Sequence, residues 1–138
     1  MSKPSIPAAD ARCPCGSGLT FGDCCGPILA GGRVAATPEA LMRSRFTAFA
    51  VGDTDHLLAS WHPDTRPKSL ALDDQTRWYR LDVESTSGGT PFEKTGEVGF
   101  TAYYRVEKQR GTLRERSRFV RVDGAWFYLD GDVVTANR

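Results

Sequence analysis

The chain of 138 residues has no long apolar run, no cysteine beyond position 25, no internal repeat and no excess of charge of either sign. No stretch approaches the roughly 20 apolar residues that span a membrane, so we expect no membrane insertion. The first ten residues carry one lysine and no apolar segment, which is not the pattern of a secretory signal. The net charge of +1 neither favours nor excludes a polyanionic partner. We therefore predict a cytoplasmic protein.

Length and composition suit one compact domain with a small appendage. The chain is 40% apolar and 10% aromatic, which is sufficient to fill a core at this length. The segment near the N-terminus has a different composition, with its cysteines and several glycines close together. We predict a flexible tail at residues 1–12, a cysteine-bearing knuckle at 13–30 and the main domain at 31–138.

The four cysteines lie in one glycine-rich segment, at Cys13, Cys15, Cys24 and Cys25. Thiolates so close in sequence converge on one point around a metal ion, and structural zinc sites are tetrahedral with four sulfur or nitrogen ligands. Four thiolates fill that coordination and leave no position for water, so the predicted Zn²⁺ is structural rather than catalytic. Because the loop has little core of its own, binding of the ion would supply its stability.

Disulfide bonds are the alternative use of these cysteines. Bridges within Cys13–Cys15 or Cys24–Cys25 would be strained, whereas bridges between the two pairs are possible. Disulfides would, however, imply an oxidising compartment, and the lack of a secretory pattern favours reduced thiols. We therefore expect zinc.

Helix signals follow the knuckle. Thr37 is placed as an N-cap, and the amphipathic pattern predicts a helix over Pro38–Val51. Gly52 is a natural stop for that helix. Asp53 can then cap a second, shorter helix that includes Trp61. A further helical turn is expected at residues 73–78.

The pattern changes to alternation after this point. Asp123 and Gly124 form a hairpin signal between two alternating segments. Helices followed by an antiparallel sheet define an α+β fold. The predicted strands cover residues 78–86, 96–107, 112–122 and 125–130.

Two sets of residues carry a resemblance to known families. Residues 13–26 resemble the SEC-C motif, a zinc knuckle also found at the C-terminus of the SecA translocation motor, with the eight-residue spacer and all four ligands intact. Nearly the whole chain resembles the bacterial YchJ family. That resemblance implies a nuclear transport factor 2-like domain, in which helices pack on a curved antiparallel sheet and form a cone with a cavity. The segments that carry it are Pro38–Phe46, Trp61–Pro63, Glu115–Phe119 and Trp126–Gly131.

Glu115 is the most informative residue for the implied cavity, because it shares a strand face with Leu113 and Phe119. A carboxylate among apolar neighbours is costly unless it is paired, and Arg45 is the expected partner. Glu115 could act as a general acid or base, but a structural ion pair that plugs the cone is the simpler interpretation. The predicted cavity residues are Arg45, Trp61, His62, Tyr104, Glu115, Ser117, Trp126 and Tyr128.

Of the two histidines, only His62 has both a functional and a structural interpretation. His62 follows Trp61 at a helix end and can shuttle protons near neutral pH. Its simpler role is to hold the turn before Pro63. His56 lies at a polar helix start and is expected to be solvated. Glu115 and His62 are thus weak catalytic candidates, and no catalytic set is complete.

The third predicted strand places three arginines on the face opposite to Glu115. A basic sheet face can contact phosphates, although a solvated surface diluted by acidic neighbours is the commoner situation. The arginines are Arg114, Arg116 and Arg118, with Arg105, Lys108, Arg110 and Arg121 nearby.

These observations favour a zinc-binding adaptor over an enzyme. The leading hypothesis is that the knuckle contacts a protein partner, as the resemblance to the translocation motor, whose motif contacts a chaperone, implies. One alternative is an enzyme that acts on a small ligand in the cone cavity, with Glu115 and His62 as acid–base pair. The other is association with nucleic acid or the ribosome through the basic strand face.

Overall fold

The computed structural model describes residues 5–137. Within this range, three short helices precede four long strands, which confirms the α+β prediction. Residues 1–4 of the predicted tail, and Arg138, lie outside the described residues. The helices are α1 (Cys25–Leu29), α2 (Pro38–Val51) and α3 (Thr54–Ala59), and a 3-10 turn at Phe21–Asp23 precedes α1. The strands are β1 (Thr76–Gly88), β2 (Thr95–Val106), β3 (Gln109–Val122) and β4 (Ala125–Asn137).

Helix α2 begins and ends where the sequence predicts. The Thr37 hydroxyl oxygen accepts a hydrogen bond from the Ala40 backbone N–H at 3.0 Å, which satisfies one of the free donors of the first turn. At the other end, Gly52 has a φ of 86°, a left-handed conformation that favours glycine. The N-cap and the C-terminal glycine each act over a few residues, so the sequence is sufficient to place both ends of α2.

Helix α3 is shorter than predicted. The Asp53 carboxylate caps it by accepting a hydrogen bond from the His56 N–H at 3.0 Å, as expected. The helix ends at Ala59, so Trp61 lies outside it and forms an isolated bridge with Tyr128 of β4. That bridge, which is a tertiary contact, attaches the end of α3 to the sheet.

The four strands form one antiparallel sheet in sequential order. Val98, Phe100 and Ala102 of β2 are buried on one face, which confirms the predicted alternation. Register shifts interrupt the β1–β2 and β3–β4 pairings, and such bulges bend strands and increase their twist. Helix α2 lies against the inner face of this sheet and contacts β1, β2 and β4.

Two local predictions differ from the structure. The helical turn expected at residues 73–78 is wrong: the Asp73 carboxylate accepts hydrogen bonds from the Gln75 N–H and the Thr76 hydroxyl, and β1 already begins at Thr76. Strand β4 was predicted to end at residue 130 but continues to Asn137, paired with β3. Pairing with a neighbouring strand extends β4 beyond its own alternating pattern.

The knuckle is part of the main core rather than an appendage. Cys13, Cys15 and Cys25 belong to the same buried cluster as Phe46 of α2 and Phe119 of β3. Cys15 is 0% exposed, so the two parts are packed without a gap for solvent at this point. The boundary predicted at residue 30 therefore does not separate two independent cores.

Residues 5–12 do not form the loose tail that the sequence suggested. The Ser5 N–H donates to the Val51 carbonyl oxygen at 2.8 Å, which connects this segment to the end of α2. The Phe21 N–H donates to Ala11 at 2.7 Å, and the Gly22 N–H donates to Ala9 at 2.8 Å. Backbone pairing of this kind has no side-chain signal in the sequence.

His56 is half-buried, so the prediction of a solvated side chain is wrong. Its Nε2 atom lies 2.9 Å from the hydroxyl oxygen of the fully buried Ser44. Because Ser44 donates its one hydroxyl proton to the Leu41 carbonyl oxygen, the His56 ring acts as the donor to Ser44. Burial lowers the pKa of His56 below its ordinary value.

This environment predicts a loss of stability in mild acid. Unfolded His56 takes up a proton near pH 6.5, whereas the folded side chain does so only at lower pH. The unfolded state therefore binds more protons below about pH 6.5, and the free energy of unfolding falls as the pH falls. We expect His56→Gln, which keeps a donor for Ser44, to reduce this slope in urea denaturation between pH 7 and pH 5. An unchanged slope would contradict the prediction.

No helix among the described residues has the length and apolarity required to cross a membrane.

Candidate metal centre and interior cavity

Two short-range backbone hydrogen bonds shape the knuckle. The Cys13 N–H donates to the Leu19 carbonyl oxygen at 3.0 Å, which closes the loop between the two cysteine pairs. Inside that loop the Gly16 N–H donates to the Cys13 carbonyl oxygen at 3.1 Å, with Gly16 at a φ of 78°. A side chain would be strained in this left-handed conformation, so glycine allows the tight turn that brings the first cysteine pair inward.

The second pair of cysteines is presented by the start of a helix. Cys24 directly follows the 3-10 turn, and Cys25 is the first residue of α1. Chain direction changes sharply at this point, because the 3-10 turn and α1 are separated by a single residue. Adjacent residues can therefore both direct their sulfur atoms toward the first pair.

The four sulfur atoms converge in the arrangement that a tetrahedral ion requires. All four Sγ atoms lie within 4.8 Å of one another. The Cys15–Cys24 and Cys24–Cys25 sulfur distances are 3.6 and 3.9 Å. A tetrahedral ion with Zn–S bonds of about 2.3 Å would place its ligand atoms about 3.8 Å apart. All four cysteines are free thiols, so the group can hold a metal ion and contains no disulfide.

Neighbouring side chains complete the surroundings of the sulfur atoms. The Ser17 hydroxyl lies 3.2 Å from Cys24 Sγ, and the Thr47 hydroxyl of α2 lies 3.8 Å from Cys13 Sγ. Arg43 of α2 donates to the Cys15 carbonyl oxygen at 2.8 Å. Hydrogen bonds from the other thiols, first that of Cys13, lower the pKa of Cys15. The first turn of the knuckle is thus held against α2 by polar contacts as well as by packing.

A separate cavity of about 200 Å³ lies between α2 and the inner face of the sheet. One end is polar and contains Glu115, Ser117 and Tyr128. Apart from Arg45, the rest is apolar, with aromatic side chains from both the helix and the strands. Besides the polar end, the lining residues are Met42, Arg45, Phe46, Phe49, Trp61, Trp78, Phe100, Ala102 and Leu113.

The predicted Arg45–Glu115 ion pair is wrong. Arg45 is buried, and its Nη1 donates to the Leu57 carbonyl oxygen and to the Ser60 hydroxyl oxygen, both at 2.7 Å. Its guanidinium lies over the ring of Tyr128, with 4.4 Å between the guanidinium carbon and the ring centroid. Burial lowers the pKa of Arg45 to about 10, so it remains charged at neutral pH. The partners of Arg45 therefore come from α3 and from Ser60, which directly follows it, and not from a strand as the sequence predicts.

Glu115 instead bonds to neutral hydroxyl groups. Its Oε1 atom accepts from Ser117 at 3.2 Å and from the Tyr128 hydroxyl at 3.5 Å. Burial raises the pKa of Tyr128 to about 12, so the phenol stays protonated as a donor. Tyr128 thus lies between two charged side chains. Its ring contacts the Arg45 guanidinium, and its hydroxyl donates a hydrogen bond to the Glu115 carboxylate.

Three of the predicted cavity residues do not line this cavity. The His62 N–H donates to the Tyr128 carbonyl oxygen at 2.7 Å, and its ring nitrogen Nδ1 accepts from the Asp64 N–H at 3.1 Å. Tyr104 lines a neighbouring cleft, and Trp126 is buried in the core. Because His62 holds a turn outside the cavity, the proposed acid–base pair with Glu115 does not form. Arg45, Trp61, Glu115, Ser117 and Tyr128 do line it.

Two of the three arginines on the basic strand face form ion pairs. Arg114 forms an ion pair with Glu84 at 3.0 Å. Arg118 pairs with Asp130 at 2.5 Å and with Asp132 at 2.8 Å. The acidic partners come from β1 and β4, so these two arginines lie on a mixed charged surface, and the nucleic-acid hypothesis stays a prediction.

Two positions at the cavity are not among the predicted cavity residues. Trp78 lines the cavity and also the two clefts beside it. Gly131 lies opposite Ser117 in the β3–β4 pairing, and a Cβ atom there would collide with Glu115 Oε1. The sequence predicts that Ser117 faces the cavity, and paired residues on neighbouring strands share a sheet face. This is the one signal that could have indicated that Gly131 also lies at the cavity.

Comparisons with known proteins agree with this architecture. Residues 11–27 match the SEC-C motif, and residues 37–131 match the YchJ middle NTF2-like domain. A UPF0225 protein of Corynebacterium efficiens is 54% identical over 124 residues, which cover 90% of this chain and 95% of that protein.

Two solved structures have the same arrangement. A SEC-C motif-containing protein from Rhodopseudomonas palustris is 36% identical with a TM-score of 0.78, covering 89% of this chain and 98% of that one. A SEC-C motif-containing protein from Psychrobacter arcticus is 25% identical with a TM-score of 0.74, covering 92% of this chain and 85% of that one.

Fold and site together define a SEC-C motif-containing protein with a nuclear transport factor 2-like domain. The helices on an antiparallel sheet and the convergent cysteines are its two components. The chain belongs to the YchJ family, whose members include the UPF0225 proteins.

Proposed function

We propose that this protein is a cytoplasmic zinc-binding adaptor, in which the metal holds the knuckle in a fixed shape for contact with a protein partner. The observation that carries the proposal is the closed set of four sulfur ligands packed on α2. Such a set has no open coordination position, so the ion would have a structural role. Reduced thiols are maintained in the cytosol, which supports that location.

Zinc is the metal that the donor set favours. Four thiolates in a tetrahedral arrangement select zinc or iron–sulfur chemistry over the hard cations that prefer oxygen ligands. We expect elemental analysis of protein purified without added metal to give about one zinc per chain, with four thiols that titrate only after chelation. A metal-free protein with an ordered knuckle, or another stoichiometric metal, would contradict this assignment.

The outer side of the knuckle offers apolar surface to a partner. Ile6 and Leu19 are 58% and 52% exposed, although both are large apolar residues. Ile6, Phe21 and Leu29 line a groove of about 470 Å³ on this side. Its walls suit an extended apolar segment of another protein, since peptide grooves combine apolar pockets with accessible backbone.

Crosslinking in cells followed by affinity purification tests the adaptor proposal. Cys24→Ser should lose the same partners as Ile6→Asp, because the first change removes the metal and the second alters the groove without touching a sulfur atom. Phe92→Asp is a matched control, since Phe92 is 96% exposed in the β1–β2 connection and lies outside the knuckle. The proposal fails if the metal-free and groove variants retain every partner of the wild type, or if Phe92→Asp loses the same ones.

A further inference from the structure

The interior cavity has the size of a single ring. Its volume of about 200 Å³ is below the roughly 300–1,000 Å³ that is usual for drug-sized ligands. An apolar cavity of about 150 Å³ is sufficient to bind benzene. A one-ring molecule with a small substituent therefore fits the space, and a nucleotide or a peptide does not.

The walls favour a flat aromatic molecule. Phe46, Phe49 and Trp78 line one part of the cavity, and Trp61 and Tyr128 line another. Trp61 and Tyr128 already meet edge to face, with 5.2 Å between their centroids. Aromatic rings prefer such edge-to-face or offset contacts, so a further ring between these walls would gain favourable contacts on several sides.

Glu115 supplies an acceptor to the cavity lining, where the indole N–H of Trp61 is a buried donor without a partner among the described residues. Both hydrogen bonds to the Glu115 carboxylate reach Oε1. Within the part of the chain that the structure describes, Oε2 receives no donor from the protein. An ionised carboxylate is an acceptor only, so it would select a ligand that carries an O–H or N–H donor.

The charges around Glu115 favour a neutral ligand over a cation. Arg45 is a buried positive charge in the same wall, and it interacts electrostatically with Glu115. The rings of Trp61 and Tyr128, which would otherwise attract a cation, already face the Arg45 guanidinium. A cationic ligand would leave a net positive charge in an apolar cavity, which is costly.

Gly131 fixes the position of the carboxylate. The Glu115 Oε1 atom occupies the space where any side chain at position 131 would begin. Since Gly131 does not have a positive φ, alanine can adopt its backbone conformation. Gly131→Ala should therefore move the carboxylate while leaving its charge unchanged.

We propose that this cavity binds a neutral, single-ring aromatic molecule whose hydroxyl or N–H group donates a hydrogen bond to Glu115. The ring packs among the aromatic walls, and the donor replaces the water that would otherwise solvate Oε2. This site is independent of the knuckle, so the adaptor proposal can fail without affecting it.

Three probes test the proposal on the full chain with its metal bound: phenol, toluene and benzylamine. Phenol and toluene have nearly the same shape but differ in the donor, and benzylamine is a cation at neutral pH. We expect phenol to bind at least tenfold more tightly than toluene or benzylamine, with shifts of the indole N–H signals of Trp61 and Trp78 in NMR titrations. Failure of phenol to bind, or equal or tighter binding of either other probe, would overturn the proposal.

Two variants assign the preference to the carboxylate. Glu115→Gln removes its charge, and Gly131→Ala displaces it. We expect each variant to reduce the preference for phenol over toluene by about fivefold or more while toluene still binds. If one variant fails to fold, the other supplies the same readout. An unchanged preference in a folded variant would show that Glu115 is not the acceptor.

Discussion

Removal of the metal ion should lower the thermal midpoint of unfolding by roughly 10–15 °C. This follows from a binding contribution of about 4 kcal/mol when the free metal exceeds its dissociation constant a thousandfold, in a domain of this size. The effect should not remain local, because Cys13, Cys15 and Cys25 are part of the core cluster that includes Phe46. Without the ion, burial of the knuckle's thiolates against α2 becomes unfavourable, and the knuckle should separate from the helix.

Thermal unfolding followed by circular dichroism, with and without a chelator, measures this effect. Cys15→Ser should reproduce the chelated state and should no longer respond to the chelator. Ser17→Ala is the matched control, because Ser17 lies beside Cys24 Sγ but is not one of the four sulfur ligands. We expect that variant to lose less than about 1 kcal/mol. Equal midpoints for the chelated and untreated wild type would refute a stabilising metal.

Replacement of Arg45 by methionine should reduce the free energy of unfolding by about 3 kcal/mol. The variant loses two charge-assisted hydrogen bonds, to the Leu57 carbonyl oxygen and to Ser60, and leaves that carbonyl oxygen with only the longer hydrogen bond of 3.3 Å from the Ser60 hydroxyl. It also loses the contacts of the guanidinium with the rings of Trp61 and Tyr128. Recovery of the cost of burying a charge offsets part of these losses.

Arg80 provides the matched control for this prediction. Its guanidinium lies 5.0 Å from the centroid of Tyr103 and pairs with Asp82, but its side chain is 62% exposed. Because exposed ion pairs and exposed cation–π contacts contribute little, Arg80→Met should lower the free energy of unfolding much less than Arg45→Met. Urea denaturation of both variants measures the difference. Similar losses would mean that burial of Arg45 does not determine its contribution.

The two alternatives to the adaptor hypothesis depend on residues that the fold places apart or neutralises. An acid–base pair would require Glu115 and His62 in one cavity, but the His62 backbone N–H bonds to the Tyr128 carbonyl oxygen on the outside. A basic binding face would require uncompensated arginines on β3, but Arg114 and Arg118 are paired with acidic residues. The structure therefore does not assemble the acid–base pair of the enzyme hypothesis, and it pairs two of the three arginines of the basic face.

Local features of the fold could be predicted because their signals act over a few residues. Thr37 and Gly52 cap helix α2 through hydrogen bonds and dihedral angles within one turn. Alternation in β2 identified its buried face, since side chains of a strand point to opposite sides in turn. Cysteine spacing predicted a cluster, because a short loop restricts where four sulfur atoms can meet.

Side-chain partners across elements could not be predicted in the same way. Opposite charge matches Arg45 to Glu115, whereas the Leu57 carbonyl oxygen of α3 and the hydroxyl of Ser60 just after it lie at hydrogen-bond distance. The register shift in the β3–β4 pairing at Arg114 and Glu115 also changes which residue of β4 faces Glu115. A shift of one residue moves side chains to a different neighbour, and no sequence pattern in β4 marks it.

By itself, the amino-acid sequence determined the class of fold, the main helix, the direction of the inner strand faces and the group of four sulfur ligands. Only the tertiary structure decided that the knuckle shares the main core, that Arg45 is held by α3 and two aromatic rings, and that Gly131 leaves room for the Glu115 carboxylate. The physical reason is the distance along the sequence over which each interaction acts. Propensity, capping and alternation act between near neighbours in sequence, whereas burial and pairing depend on which distant residues the packed chain brings together.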